Sequence, residues 1–164
     1  MDRRSFIAKQ VRELKFDYHA PNSYYVTVST RNGECIFGQI AQGATKVELT
    51  ELGQVVAQKI NDVSAVFLNL HVDAYIVMPN HAHLLVTSLG GEPTVSELVK
   101  RFKTEAVKEV GYSFWKRSFT NHVVRNPYDY SRILNLIGSN PEQWQDDPLH
   151  PNYQVKRYQP TLVP

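Results

Sequence analysis

Two histidines one residue apart, His81 and His83, sit in an otherwise apolar string, Tyr75-Ile76-Val77-Met78-Pro79-Asn80-His81-Ala82-His83-Leu84-Leu85-Val86. Alternate residues of a β-strand point to the same face, so both imidazoles project together while Ala82 turns away. Two imidazoles side by side can share one divalent metal ion. Leu84, Leu85 and Val86 continue the strand and can anchor it in a core, which would hold the ligands rigid. A His-x-His without such a setting reads as two ordinary histidines on a half-exposed strand. Here the whole string is distinctive.

Further groups able to do chemistry lie downstream. Lys100, Lys103, Arg117 and Arg125 offer cations to a phosphate backbone, against the plainer reading of solvated surface charges. Tyr128 and Tyr130 offer phenols. His122 is a third imidazole, read first as a surface or hydrogen-bonded side chain. Trp115 and Trp144 offer flat faces for unpaired bases, although a tryptophan beside a regular element is more often a core anchor.

The elements that must position these groups follow from local patterns. Tyr24 to Thr30 is rich in β-branched and aromatic residues and predicts a strand, closed by the turn residues Arg31-Asn32-Gly33. Thr50 starts a helix whose Leu52, Val55, Val56, Lys59 and Ile60 share one face. Residues 68–78 predict a long strand, Pro79-Asn80 a break, and residues 81–88 the next strand. Thr94-Val95-Ser96-Glu97 has the form of a capping box, and the helix it opens carries Val95, Leu98, Val99, Phe102, Ala106 and Val110 toward a core. A strand is expected around residues 121–125. Asn126-Pro127 then predicts a helix start, with asparagine as cap and proline in the first turn. This order of elements predicts an α+β domain, an antiparallel sheet with its helices mainly on one face.

At 164 residues the chain is long enough for one domain with its own core. A hydrophobic fraction of 42% and a charged fraction of 21% are those of ordinary globular proteins. The formal charge of +2 permits nucleic-acid binding without arguing for it; Arg3, Arg4, Lys9, Arg12 and Lys15 concentrate charge in the first segment. Cys35 is the single cysteine, which excludes an internal disulfide and a cysteine metal cluster. With no signal-peptide pattern and no apolar run long enough for a bilayer, a cytoplasmic protein without a membrane partner is expected. The expected organisation is a basic arm over residues 1–20, a catalytic-type domain over 21–147 and an extended tail over 148–164.

The string at residues 75–86 resembles the signature strand pair of the His-hydrophobic-His single-tyrosine transposases, in their REP-associated and insertion-sequence-like branch. The resemblance extends over most of the chain. Tyr25-Val26-Thr27-Val28 is similar to the family's first strand and Phe102-Lys103 to a pair on its helix. Phe114 to Phe119, with Val124-Arg125, resembles the segment before its last helix, and Asn140-Pro141-Glu142-Gln143-Trp144 the Asn-Pro-x-x-Trp that follows. This resemblance implies a ferredoxin-like antiparallel sheet, a homodimer, and binding of hairpins in single-stranded DNA. It also implies Mg2+ or Mn2+ at a scissile phosphate and a tyrosine of the last helix forming a covalent phosphotyrosine, and thus nucleophilic catalysis beside a Lewis acid.

The family's tyrosine stands five residues before the proline of Asn-Pro, with a polar metal ligand four residues after it. Those positions hold Leu136 and Asn140 here, so the implied ligands are His81, His83 and Asn140, and the implied nucleophile is missing. The helix can also be read without the family. Tyr130, Ile133, Leu134 and Ile137 form an apolar stripe expected to be buried, while Leu136 falls on the polar side with Asp129 and Arg132. Tyr128 and Tyr130 are weak substitutes, lying toward the other end of the helix, and nothing supports the tail residues Tyr153 and Tyr158. Three functions stay open: a transposase-type enzyme with impaired activity, a hairpin-DNA-binding relic that cleaves nothing, and a metal-dependent phosphodiesterase that uses water.

Overall fold

The computed structural model describes residues 16–154; most of the basic arm, and Tyr158 with the end of the tail, lie outside the described residues. The elements are β1 (Asn22–Thr30), β2 (Gly38–Gln39), β3 (Glu48–Leu49), α1 (Glu51–Val66), β4 (Leu70–Met78), β5 (His81–Ser88), α2 (Val95–Val110), β6 (Trp115–Val124) and α3 (Pro127–Ser139). A 3-10 segment, Asn140–Asp146, follows α3 directly.

The long strands form one antiparallel sheet in the order β4-β5-β1-β6, the ferredoxin-like arrangement. Each helix begins where side-chain chemistry satisfies free amides. The Thr50 side chain accepts from Gly53 N, Thr94 N donates to Glu97 Oε2 at 2.6 Å, and Asn126 Oδ1 accepts from Asp129 N at 2.8 Å. Gly53 is obligatory for packing, because a Cβ there would lie 2.0 Å from the Phe37 carbonyl oxygen.

Strand alternation separates the two faces. Tyr24, Val26 and Val28 of β1, with Ala82, Leu84 and Val86 of β5, are fully buried beneath α1 and α2. Phe102, Trp115 and Phe37 complete that core, so Trp115 is an anchor and not a free stacking face. The other residues of the same strands carry Tyr25, Thr27, Ser29, His81, His83 and Leu85. Among the described residues α3 and the 3-10 segment after it cover that face; α3 rests on β4 and β5 through Ile133 and Ile137, which pack with Leu85 and Val124. The expected apolar stripe is therefore narrower than its spacing suggested. Leu134 is 42% exposed, because a helix seated on two strands leaves its flank in solvent.

No helix among the described residues is long and apolar enough to cross a membrane.

Candidate metal centre

A two-residue turn, Pro79-Asn80, joins β4 to β5 and delivers His81 as the first residue of its strand. Neighbours hold the turn at its backbone: Thr30 N donates to Asn80 O and Phe37 N to Pro79 O, both at 2.9 Å. His81 and His83 point to the α3 face with their Nε2 atoms 3.1 Å apart. Ligands on one ion at about 2.0–2.1 Å are separated by roughly this distance.

The far nitrogens of both rings have partners. Asn80, 2% exposed, sends both amide protons to carbonyls, Leu149 O at 2.7 Å and Gly33 O at 3.2 Å. That fixes its Oδ1 as the acceptor facing His81 Nδ1 at 2.7 Å, so His81 carries its proton on Nδ1 and leaves the Nε2 lone pair free. Thr27 Oγ1 meets His83 Nδ1 at 2.9 Å from the adjacent strand. Burial disfavours the charged form of each ring. His81 is pushed down to about 3, with His83 adding to the effect, and His83 to about 4. Both are neutral near pH 7, the state a metal ligand needs.

The third group comes from far along the chain. Asp147, just beyond the 3-10 segment, brings Oδ2 to 3.6 Å from His81 Nε2 while its Oδ1 accepts from Leu149 N at 2.8 Å. With His81 neutral, that approach is neither an ion pair nor a hydrogen bond. Burial raises the Asp147 carboxyl above its ordinary value, against the opposing influence of the Leu149 amide and His150. Ligand atoms of His81, His83 and Asp147 lie within 4.8 Å of one another, a grouping able to hold a metal ion. Asn140 Oδ1 is buried with no hydrogen-bond partner among the described residues. Two imidazole nitrogens and a carboxylate oxygen brought together, with an orphaned amide oxygen beside the same groove, fit a cation. Trp144 is 5% exposed and wedged between His81 and His150, so it too is an anchor.

The centre opens into a groove of about 720 Å³ over β1 and β6. Tyr25, Thr27, Ser118, Thr120 and His83 form its floor, Leu136 and Asn140 one wall, and Asp147 to Leu149 the rim. Leu136 is thus on the site side of α3. Tyr128 is 81% exposed on the first turn of the helix, about 12 Å along it. Tyr130 Oη donates to Asp73 Oδ2 at 2.9 Å, at the β4 edge. Neither lines the groove.

The expected cations are dispersed. Lys103 donates to Lys116 O at 2.9 Å and lies over the Trp115 ring, and burial lowers its pKa; it braces β6 from the packed side. Lys100 is exposed on α2, and Arg125 is exposed past the far end of β6. Arg117 is exposed near the start of β6, beside the groove. His122 meets Asp129 Oδ2 at 2.9 Å and ties β6 to α3, the hydrogen-bonded role read for it.

Sequence reasoning did not single out Asp147, Asn80, Thr27 or Tyr25. Thr27 and Tyr25 were recoverable in part, since alternation in β1 sends them both to one face. Tyr25 stacks on His83 with ring centroids 5.0 Å apart, and its phenol is pushed up to about 12, by burial first and by Asp147 second. Nothing local marks Asp147 over its neighbour Asp146.

No family model matches the chain. An uncharacterized protein of Haemophilus influenzae is 26% identical over 169 residues, which span 87% of this chain and 92% of the relative. Among solved structures, the REP-associated tyrosine transposase bound to a REP hairpin superposes with a TM-score of 0.61 at 24% identity, over 79% of this chain and 72% of that one. This chain has that transposase's fold. The resemblance carried by residues 75–86 is thereby matched by the architecture around them.

Proposed function

We propose that this protein is a transposase-like DNA-binding protein that holds single-stranded or hairpin DNA in the groove and cleaves it with water, not with a tyrosine, as nucleophile. One observation carries the reading. Leu136 lines the same groove as His83, Asn140 and Asp147, so the helix position facing the ligand cluster has no hydroxyl. Among the described residues Tyr25 is the phenol that lines this groove, but a raised pKa and a face committed to His83 are the opposite of an activated nucleophile.

His81, His83, Asp147 and Asn140 would hold the cation. Two nitrogens and two oxygens suit Mn2+ better than Mg2+, which prefers oxygen alone. When bound, the ion supplies Lewis-acid polarisation of a phosphate oxygen. The chain itself does the orienting: Asn80 fixes the His81 tautomer, and Thr27 and Tyr25 hold the His83 ring. Lys116, at the groove wall, offsets phosphate charge. Hydrolysis consumes one water, breaks one P–O ester bond and leaves a hydroxyl and a phosphate monoester, with no bond to the protein.

The test is incubation with labelled single-stranded hairpin DNA and Mn2+ or Mg2+. Cleavage without a covalent adduct is expected, abolished in His81→Ala and His83→Ala. An adduct removed by Tyr25→Phe, Tyr128→Phe or Tyr130→Phe would overturn water as the nucleophile. Binding with no cleavage in either metal would leave a non-catalytic hairpin binder, the second reading that Leu136 favours. The homodimer implied by the resemblance is checked by sedimentation of the full chain.

A further inference from the structure

Resting on that reading of the groove, we infer that Arg31, Lys116 and Arg117 form a second subsite, which grips the DNA backbone beside the cleaved phosphate. A separate depression of about 610 Å³ adjoins the metal groove and shares Ser29, Lys116 and Leu149 with it. A strand lying in one runs into the other. Its charged lining consists of Arg31, Lys116 and Arg117, with no carboxylate; Glu34, close by in the chain, does not line it. The metal groove by contrast carries Asp146 and Asp147. One depression is built for a cation and its neighbour for an anion.

The depression lies where the pairing of β1 with β6 is irregular. Val28 pairs with Phe119, but Thr30 pairs with Trp115, so β6 uses two more residues than β1 over this stretch. In a regular strand Lys116 and Arg117 would point to opposite faces. The two extra residues keep that parity, with Trp115 and Phe119 both packed on the core, and at this end of the sheet Lys116 and Arg117 nevertheless both line the depression. The irregular stretch is braced at both sides. Lys103 donates to Lys116 O, Arg31 N donates to Phe114 O at 2.9 Å, and the Arg31 guanidinium donates to Ser113 Oγ at 3.1 Å. Two guanidinium groups and an ammonium in a braced, carboxylate-free depression recognise phosphodiester oxygens. Among the described residues no strand pairs with the outer edge of β6.

Fluorescence anisotropy of a labelled single-stranded hairpin DNA in EDTA, over about 50–200 mM salt, reads the subsite without the metal. Each of Arg31→Ala, Lys116→Ala and Arg117→Ala is expected to flatten the slope of log K against log salt by about 0.7–1. Lys46→Ala, on the β2–β3 loop, should not change it. Mn2+ affinity should be unchanged in Arg31→Ala and Arg117→Ala, whose side chains do not line the metal groove, which shows their centre is intact. Variants that keep the parent's slope and affinity, while the parent binds and cleaves, overturn the subsite and leave the cleavage reading standing. A parent that binds no DNA overturns that reading instead. Displacement of the DNA by inorganic phosphate at matched ionic strength would assign the depression to free phosphate and overturn the inference.

Discussion

The two faces of the sheet come from the same strands and differ in nearly everything else. On one, residues 24, 26 and 28 of β1 and 82, 84 and 86 of β5 are apolar and fully buried under two helices. On the other, residues 25, 27 and 29 and residues 81 and 83 are polar or aromatic, and α3, resting on Ile133 and Ile137, leaves a groove open beside it. One face supplies most of the hydrophobic stabilisation, which scales with apolar area removed from water. The other places imidazoles and a carboxylate where burial lowers or raises their pKa values. Stability and chemistry are thus separated by strand parity, and a one-residue change of register would exchange them.

Acidification should break the comparison most severely, and on the groove face alone. Imidazoles in the unfolded chain take up protons near 6.5, whereas His81 and His83 resist protonation until about 3 and about 4. The unfolded state therefore binds more protons below 6.5. The stability these rings contribute is fully present above that pH and is lost progressively as pH falls toward 3. Urea titrations of the metal-free protein at a series of pH values should show it. A His81→Phe, His83→Phe double variant should flatten the profile between 6.5 and 4; an unchanged profile would assign the acid sensitivity elsewhere.

Next in size are truncations that compare the two cores. Phe102→Ala, beneath the two-helix layer, should cost about 3–5 kcal/mol in chemical denaturation. Ile133→Ala should cost nearer 2 kcal/mol, because α3 can open locally while the rest stays folded. Hydrogen exchange in the second variant should rise in α3 and leave α1 and α2 protected. Equal losses with global exchange in both would mean that the faces are not separable.

Asn80→Ala sharpens the comparison at the centre itself. It removes the acceptor on His81 Nδ1 and frees the rim at Leu149, so Mn2+ affinity by calorimetry should fall about 10–100-fold. An unchanged affinity would reduce Asn80 to a turn residue. The smallest stability effect belongs to Leu136→Tyr, at a half-exposed helical position, where a change within about 0.5 kcal/mol is expected. Its functional effect is qualitative: a covalent adduct with hairpin DNA in Mn2+, seen as a shifted band on a denaturing gel. Absence of that adduct in a folded, DNA-binding variant would mean that more than a phenol is missing.

Much of this was readable from local pattern. The strands of the histidine string, the capping residues Thr50, Thr94 and Asn126, and the break at Pro79-Asn80 depend on neighbours a few positions away, and they stand where expected. Leu134 did not follow its stripe, because helical spacing says which residues could be buried and not how wide a partner surface is. Lys103 was read as a phosphate contact and lies against Lys116 O and Trp115, since its surroundings come from β6 and not from α2.

The feature with which the sequence began marks the division. The sequence by itself determined that His81 and His83 share one face of a strand and that the helix carries Leu136 where a phenol is expected. The first follows from the fixed period of a strand, the second from the family resemblance, with the helical period placing Leu136 on the polar side. Only the tertiary structure decided that Asp147 joins the histidines, that Asn80 fixes the proton of His81, and that Arg31, Lys116 and Arg117 line one depression. These contacts bring together residues far apart in the chain, or depend on pairing with another strand. No local period encodes them.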